Sequence, residues 1–219
     1  MAKQVRLACI ASGSGTDFES IAKAWKAGWL PEISAVVLIS TKEGAGCLAK
    51  ADNLGIRHLV VNPENKHLST TALLLALAKL GGADIIFLVG CIVRVSDVGI
   101  PVYNIHPANT RRHGGKTMYG LAVHKHVLAE VIDEIVRGWK KSDQDFYTEV
   151  TVHDANAPYD QGEVLLTLRV QIPPNLINRL LKKTLHPKRA AQMLQRHVLT
   201  YEHLLLSVAV RAAAKKILD

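Results

Sequence analysis

The chain has 219 residues, 48% of them hydrophobic and 21% charged, which excludes a disordered or fibrous protein and leaves room for a substantial core. No apolar run approaches the roughly 20 residues that span a bilayer, and three scattered cysteines, Cys9, Cys47 and Cys91, argue against a disulfide framework, so a soluble, cytoplasmic protein with reduced thiols is expected. The formal charge of +8 suits an anionic ligand, whether phosphate, folate or nucleic acid, and on its own does not choose among them.

Val5 to Ala11 is a short, mostly apolar run that predicts a buried first strand. It ends in Ser12-Gly13-Ser14-Gly15-Thr16-Asp17, and Phe18, Ile21, Ala22, Trp25 and Trp29 follow at helical spacing. A strand, a glycine turn and a helix start offer unpaired backbone N–H groups and a favourable dipole to a phosphate. Gly13 and Gly15 complete neither a GxGxxG fingerprint nor a Walker loop. A structural alternative stays open, because Thr16-Asp17-Phe18-Glu19 fits a capping box that would satisfy some of the same donors.

Ile33 to Ser40 predicts a second strand, with a helix running through Asp52 and a third strand over His58 to Val61. Leu68 to Leu80 reads as an apolar helix closed by Gly81-Gly82, and Asp84 to Val89 as a fourth strand. Strands alternating with helices predict a mostly parallel, Rossmann-like α/β sheet covered on both faces, with right-handed crossovers. In Gly90-Cys91-Ile92-Val93-Arg94, the side chain of Arg94 is left either facing the site or solvated.

Val102-Tyr103-Asn104-Ile105-His106-Pro107 is the stretch that carries chemistry. Alternation puts Asn104 and His106 on the same face of a strand that Pro107 stops, and strand ends are where open α/β sheets hold their ligands. A hydrogen-bonded structural histidine is the alternative. The pair gains weight from Tyr159-Asp160-Gln161-Gly162, a carboxylate-bearing turn between two strand-like runs. Amide, imidazole and carboxylate together can hold an oxyanion and move a proton.

Arg111 to Lys116 forms a basic, glycine-rich loop that either closes over an anion or lies free on the surface. Helical spacing runs from Met118 to Trp139, and Lys140 to Asp145 interrupts it. Thr148 to His153 and Glu163 to Ile172 predict two strands joined as a hairpin, which adds an antiparallel part to the sheet. From Pro174 onward the pattern is helical. The cations there, Arg179, Lys182, Lys183, Lys188, Arg189 and Arg196, read as a solvated face rather than a nucleic-acid footprint, because no aromatic residues are interleaved. The ten histidines contain no HExxH, and His124 and His126 point to different sides of their helix, so no metal site is expected. With no repeat or linker in view, residues 1–219 are expected to form a single domain.

Taken together, Ser12-Gly13-Ser14-Gly15-Thr16, Asn104-Ile105-His106-Pro107, Gly114-Gly115-Lys116-Thr117-Met118-Tyr119-Gly120, Val150-Thr151-Val152-His153 and Tyr159-Asp160-Gln161-Gly162 resemble, in this order, the phosphoribosylglycinamide formyltransferases. The resemblance covers about residues 5 to 210 and implies the formyltransferase fold. It also implies transfer of a formyl group from 10-formyltetrahydrofolate to the amine of glycinamide ribonucleotide, in purine synthesis, without a metal. By position, Asn104, His106 and Asp160 would be the catalytic trio, with His106 held protonated by Asp160 and titrating above its free value of roughly 6.5. Gly13, Ser14, Gly15, Thr16 and Asp17 would meet the substrate phosphate. Glu202 resembles the acidic residue near the substrate amine, although a helix carboxylate read from sequence alone is more often exposed. Ile92, Val93, Arg94, His153 and Asp154 would lie along the folate.

The chain departs from the family in carrying Asp17 where Asn is usual, in placing Arg94 one position late, and in having a longer segment from about Leu128 to Tyr147. Those departures keep other functions open. Alternatives are another folate-dependent formyl transfer, to tRNA or a sugar, or hydrolysis of the formyl donor, and a catalytically weakened relative that binds nucleic acid. The implied partners are small molecules, with nucleic acid and membrane not expected and a homodimer left open.

Overall fold

A computed structural model describes residues 3–155 and 160–219 of the chain. In chain order its elements are β1 (Val5–Ala11), α1 (Thr16–Lys26), β2 (Ile33–Ser40), α2 (Gly46–Asn53), β3 (His58–Val60), β4 (His67–Leu68), α3 (Thr70–Leu80), β5 (Ile85–Leu88), β6 (Arg94–Val95), β7 (Val102–His106), α4 (Thr110–His113), α5 (Leu121–Val136), β8 (Tyr147–Asp154), β9 (Val164–Gln171), α6 (Pro174–Leu181) and α7 (Pro187–Leu218). The main sheet runs β3-β2-β1-β5-β7-β8-β9, parallel through β7 and antiparallel over β8 and β9. This is the mostly parallel α/β sheet with an antiparallel hairpin that the sequence predicts.

The unbroken apolar run of β1 follows from burial on both faces. Leu7, Cys9 and Ala11 enter one core cluster with residues of α1, α5, α6 and α7, and Ala8 and Ile10 enter the other, beneath Leu73, Ala76, Leu77 and Leu80 of α3. Each such large side chain removed from water contributes about 1.5–3 kcal/mol, so a strand sandwiched between helix layers has no position to give to a polar residue until its end. Polar chemistry is thereby confined to the carboxyl ends of the strands.

Those ends gather at the point where the strand order reverses. β2 lies on one side of β1 and β5 on the other, which opens a crevice beyond their carboxyl ends. Hydrogen bonds stitch its walls: the Ser12 amide donates to the Gly90 carbonyl at 3.2 Å, the Ile92 amide donates to Ser12 Oγ at 3.3 Å, and the Ser12 and Thr41 hydroxyls lie 2.7 Å apart. The long α7 packs across α1, α5, β8 and β9 and so carries C-terminal residues back to the start of α1.

Several boundaries differ from the sequence reading for identifiable reasons. α3 starts at Thr70 rather than Leu68, because Ser69 caps it by accepting from the Ala72 amide at 3.3 Å, and Leu68 pairs instead with Val95 in a small parallel sheet of β4 and β6. α5 is shorter than Met118 to Trp139, since Gly120 at φ 55° and ψ −131° precedes it and Gly138 at φ 74° follows it, both outside helical geometry. α1 stops at Lys26, which leaves Trp29 69% exposed rather than on a buried helical face. The C-terminal cations Arg179, Lys182, Lys183, Lys188, Arg189 and Arg196 are all exposed, as a solvated face requires. No helix among the described residues is long and apolar enough to cross a membrane.

Candidate active site

The hairpin brings the distant carboxylate to the strand-end pair. Asn104 on β7 sits opposite His153 on β8, and His106 sits opposite Thr151, so two histidines and an amide share one patch of the sheet. Asp160 joins them from the β8 to β9 connection in a left-handed conformation, φ 58°, which Asp adopts more readily than most residues. One of its carboxylate oxygens lies 3.7 Å from His106 Nδ1 and accepts from the Gly115 amide at 2.9 Å. The other lies 3.4 Å from His153 Nε2 and 3.5 Å from the Asn104 amide nitrogen. Tyr159, beside Asp160 in the sequence motif, lies outside the described residues.

The hydrogen-bond partners identify the tautomers. His106 Nε2 is 2.8 Å from the His113 carbonyl, which can only accept, so Nε2 carries a hydrogen and Nδ1 faces Asp160. By the same logic His153 Nδ1 donates to the Asp154 carbonyl at 2.9 Å, and its Nε2 stands 3.2 Å from Asn104 Nδ2. Access is tight around this patch. A β-carbon on Gly114 would come within 2.9 Å of Asp160 Cβ and would overlap the Thr110 carbonyl, so only glycine lets the loop approach the carboxylate this closely.

The electrostatics correct one expectation. His106 is 3% exposed, and burial pushes its pKa below the usual 6.5, although Asp160 and the His113 carbonyl both pull it up. Its contact with Asp160 is long enough for desolvation to win. The imidazole is therefore neutral at pH 7 rather than held as a cation. For Asp160, burial acts to raise the pKa, but contacts with His153, the Gly115 amide and His106 outweigh it and leave the carboxyl below the usual range.

The glycine turn supplies a second polar region. Gly15, at φ 73°, is the N-cap of α1, and a β-carbon there would overlap Cys47, so the turn is both left-handed and closely packed. No side chain caps the helix: the capping box does not form, because Glu19 pairs instead with Lys23 and Lys50. Gly13 and Ser14 are exposed above the turn, and Thr16 is half-buried. The first-turn backbone donors thus keep their capacity for an anion.

Asp17 turns its side chain away from that anion. It is 8% exposed and turns inward, its carboxylate 3.4 Å from His203 Nε2 on α7. Glu202 is likewise buried, at 9% exposure, which overturns the reading of an exposed helix carboxylate. Burial, reinforced by Asp17, pushes the Glu202 pKa up to about 8, so it carries a proton at neutral pH.

Among the positions expected along the folate, Ile92 is 58% exposed, whereas the Val93 side chain is 8% exposed and joins the core cluster that includes Leu68 and Val102. Arg94 has an exposed side chain and a backbone held in β6, its amide donating to the Lys66 carbonyl at 3.0 Å. His153 belongs with the trio, and Asp154 supplies the carbonyl that orients it. Sequence reasoning missed the His113 carbonyl and the Gly115 amide, both backbone groups in the loop after β7. Only the exit of that loop from the Asn-His strand pointed to them.

No protein-family model matches the chain. It is 29% identical over 222 residues to the chloroplastic phosphoribosylglycinamide formyltransferase of Vigna unguiculata, an alignment covering 98% of this chain and 62% of that protein. The chain spans about three fifths of the length of the curated relatives it matches. Among solved structures, the glycinamide ribonucleotide transformylase 1 of Geobacillus kaustophilus superposes with a TM-score of 0.67 at 25% identity, over 96% of this chain and 98% of that one. The transformylase 1 of Symbiobacterium toebii gives 0.69 at 23% identity, over 97% and 89%. The sheet order, the hairpin and these superpositions define the fold as that of the formyltransferases. Within that fold the chain is similar to the phosphoribosylglycinamide formyltransferases.

Proposed function

We propose that the protein transfers a formyl group from 10-formyltetrahydrofolate to the primary amine of glycinamide ribonucleotide. The observation that carries this reading is the convergence of Asn104, His106 and Asp160 at the end of β7. The relatives' names and the turn at Gly13 to Thr16, suited to a ribose phosphate, support it. Its substrates are small molecules, and no step of the scheme calls for a metal or a nucleic acid.

The chemistry follows from where the hydrogens sit. The substrate amine attacks the formyl carbon, a C–N bond forms, and the carbonyl π electrons move to oxygen. The Asn104 amide meets the resulting oxyanion, exchanging its 3.5 Å contact with Asp160 for a stronger charge-assisted hydrogen bond. The attacking nitrogen then gives up a proton to His106 Nδ1, directly or through a water. A neutral imidazole is the form that can take it, and Asp160 stabilises the imidazolium that results. The C–N bond to the folate breaks, and that proton passes to the departing nitrogen. Glu202, protonated at rest, can accept a hydrogen bond from the incoming amine on its carbonyl oxygen without giving up its own proton.

Incubating the protein with 10-formyltetrahydrofolate and, separately, glycinamide ribonucleotide, methionyl-tRNA or buffer alone tests the reading. Formylation of glycinamide ribonucleotide is expected. Transfer to tRNA, release of free formate, or no turnover with any acceptor would overturn it.

A further inference from the structure

The loop after β7 does more than lie near the site. His106 is held at Nε2 by the carbonyl of His113, the last residue of α4. A single helical turn is too short to hold its own geometry in water, so something else must fix that carbonyl. At one end, the Asn109 side chain caps the turn by accepting from the Arg111 and Arg112 amides, while its own amide donates to Glu149 at 2.9 Å. At the other end the anchor is the His113 side chain itself, 6% exposed, with Nε2 3.0 Å from Glu130 and Nδ1 3.0 Å from His126 Nδ1, both partners on α5.

We infer that His113 and Glu130 form a positioning pair that aims His106, with α5 acting as the rigid support. The inference rests on the reading of His106 as the proton acceptor, but not on which acceptor receives the formyl group. Glu130 also binds Arg112, whose guanidinium reaches Glu134 at 3.5 Å, so one helix face secures two consecutive residues of α4. Lys140, beyond the end of α5, closes on Glu134 at 2.7 Å.

The groups facing the His113 ring are Glu130 and His126 from α5, Arg112 from its own turn and His106 from β7. Burial pushes its pKa down despite Glu130, and the cations and imidazoles add to that push. A neutral ring with its hydrogen on Nε2 donates to Glu130 and leaves Nδ1 to accept from His126, which satisfies both contacts at once. This arrangement needs an acceptor at position 130, not a charge.

The test is a set of variants, Glu130→Ala, Glu130→Gln, His113→Ala and Asp133→Asn, the last an exposed residue of the same helix. Each is checked for fold by thermal melting, and His106 is titrated by NMR without substrate while turnover is measured separately. Glu130→Ala and His113→Ala are expected to move the His106 midpoint further below the free value, because the His113 carbonyl that pulls it up loses its aim, and to cut kcat about tenfold or more with KM within about twofold, as misalignment of a reacting group does. Glu130→Gln should hold both within about threefold of the parent, because its amide oxygen still accepts. Asp133→Asn should change neither.

An unmoved His106 titration in folded Glu130→Ala and His113→Ala proteins overturns the inference whatever the turnover. A moved titration with unchanged kcat also overturns it. If the titration moves as expected but the parent protein formylates nothing, the positioning pair stands and the proposed reaction falls.

Discussion

His124 offers a direct measure of how far burial overrides the intrinsic chemistry of a side chain here. It sits on α5 at 2% exposure, its Nδ1 has no hydrogen-bond partner among the described residues, and burial, assisted by His106, pushes its pKa from 6.5 down to about 4. The folded value lies below the unfolded one. Its contribution to stability is therefore fully present above pH 6.5 and is lost as the pH falls toward 4. The gap corresponds to about 3 kcal/mol in all, of which about 2 kcal/mol is gone by pH 5. That is a large share of a typical 5–15 kcal/mol domain stability. His124→Leu removes the titration while roughly conserving volume. Urea unfolding at about pH 7.5 and pH 5 should show the parent losing about 2 kcal/mol more than the variant on acidification. Equal losses, with equal m-values, would show that His124 does not titrate as a desolvated group.

Three further outcomes follow from the site. His106→Ala should lower turnover by about 10²- to 10⁴-fold with the thermal midpoint nearly unchanged, and a folded variant at parental turnover would remove His106 from the scheme. Asp160→Asn should cost about 10²-fold and move the acid limb of the pH–rate profile to lower pH, because Asp160 is the charge that pulls the His106 pKa up; an unmoved limb would deny the coupling. Asp17→Asn removes a buried carboxylate from beneath the anion-binding turn, so KM for the phosphate-bearing substrate should fall about 3- to 10-fold with kcat little changed. A KM that stays constant or rises would place the phosphate elsewhere.

Much of this protein was legible without coordinates. The β-branched and apolar runs of Val5–Ala11 and Ile33–Ser40 predict strands at the bounds observed, because a strand buried on both faces has no polar position to blur its ends. Two-residue alternation placed Asn104 and His106 together, and five short motifs in order pointed to the formyltransferase fold. What local sequence does not encode is depth. Glu202 reads as an ordinary helix carboxylate until α7 folds over α1 and seals it beside Asp17. His106 reads as a group that a nearby aspartate should keep charged until burial and a 3.7 Å separation reverse the balance. The chain alone determined which groups meet, since strand period and topology are local and combinatorial. Only the tertiary structure decided how much water remains around them, and desolvation, which depends on every neighbour at once, sets their protonation.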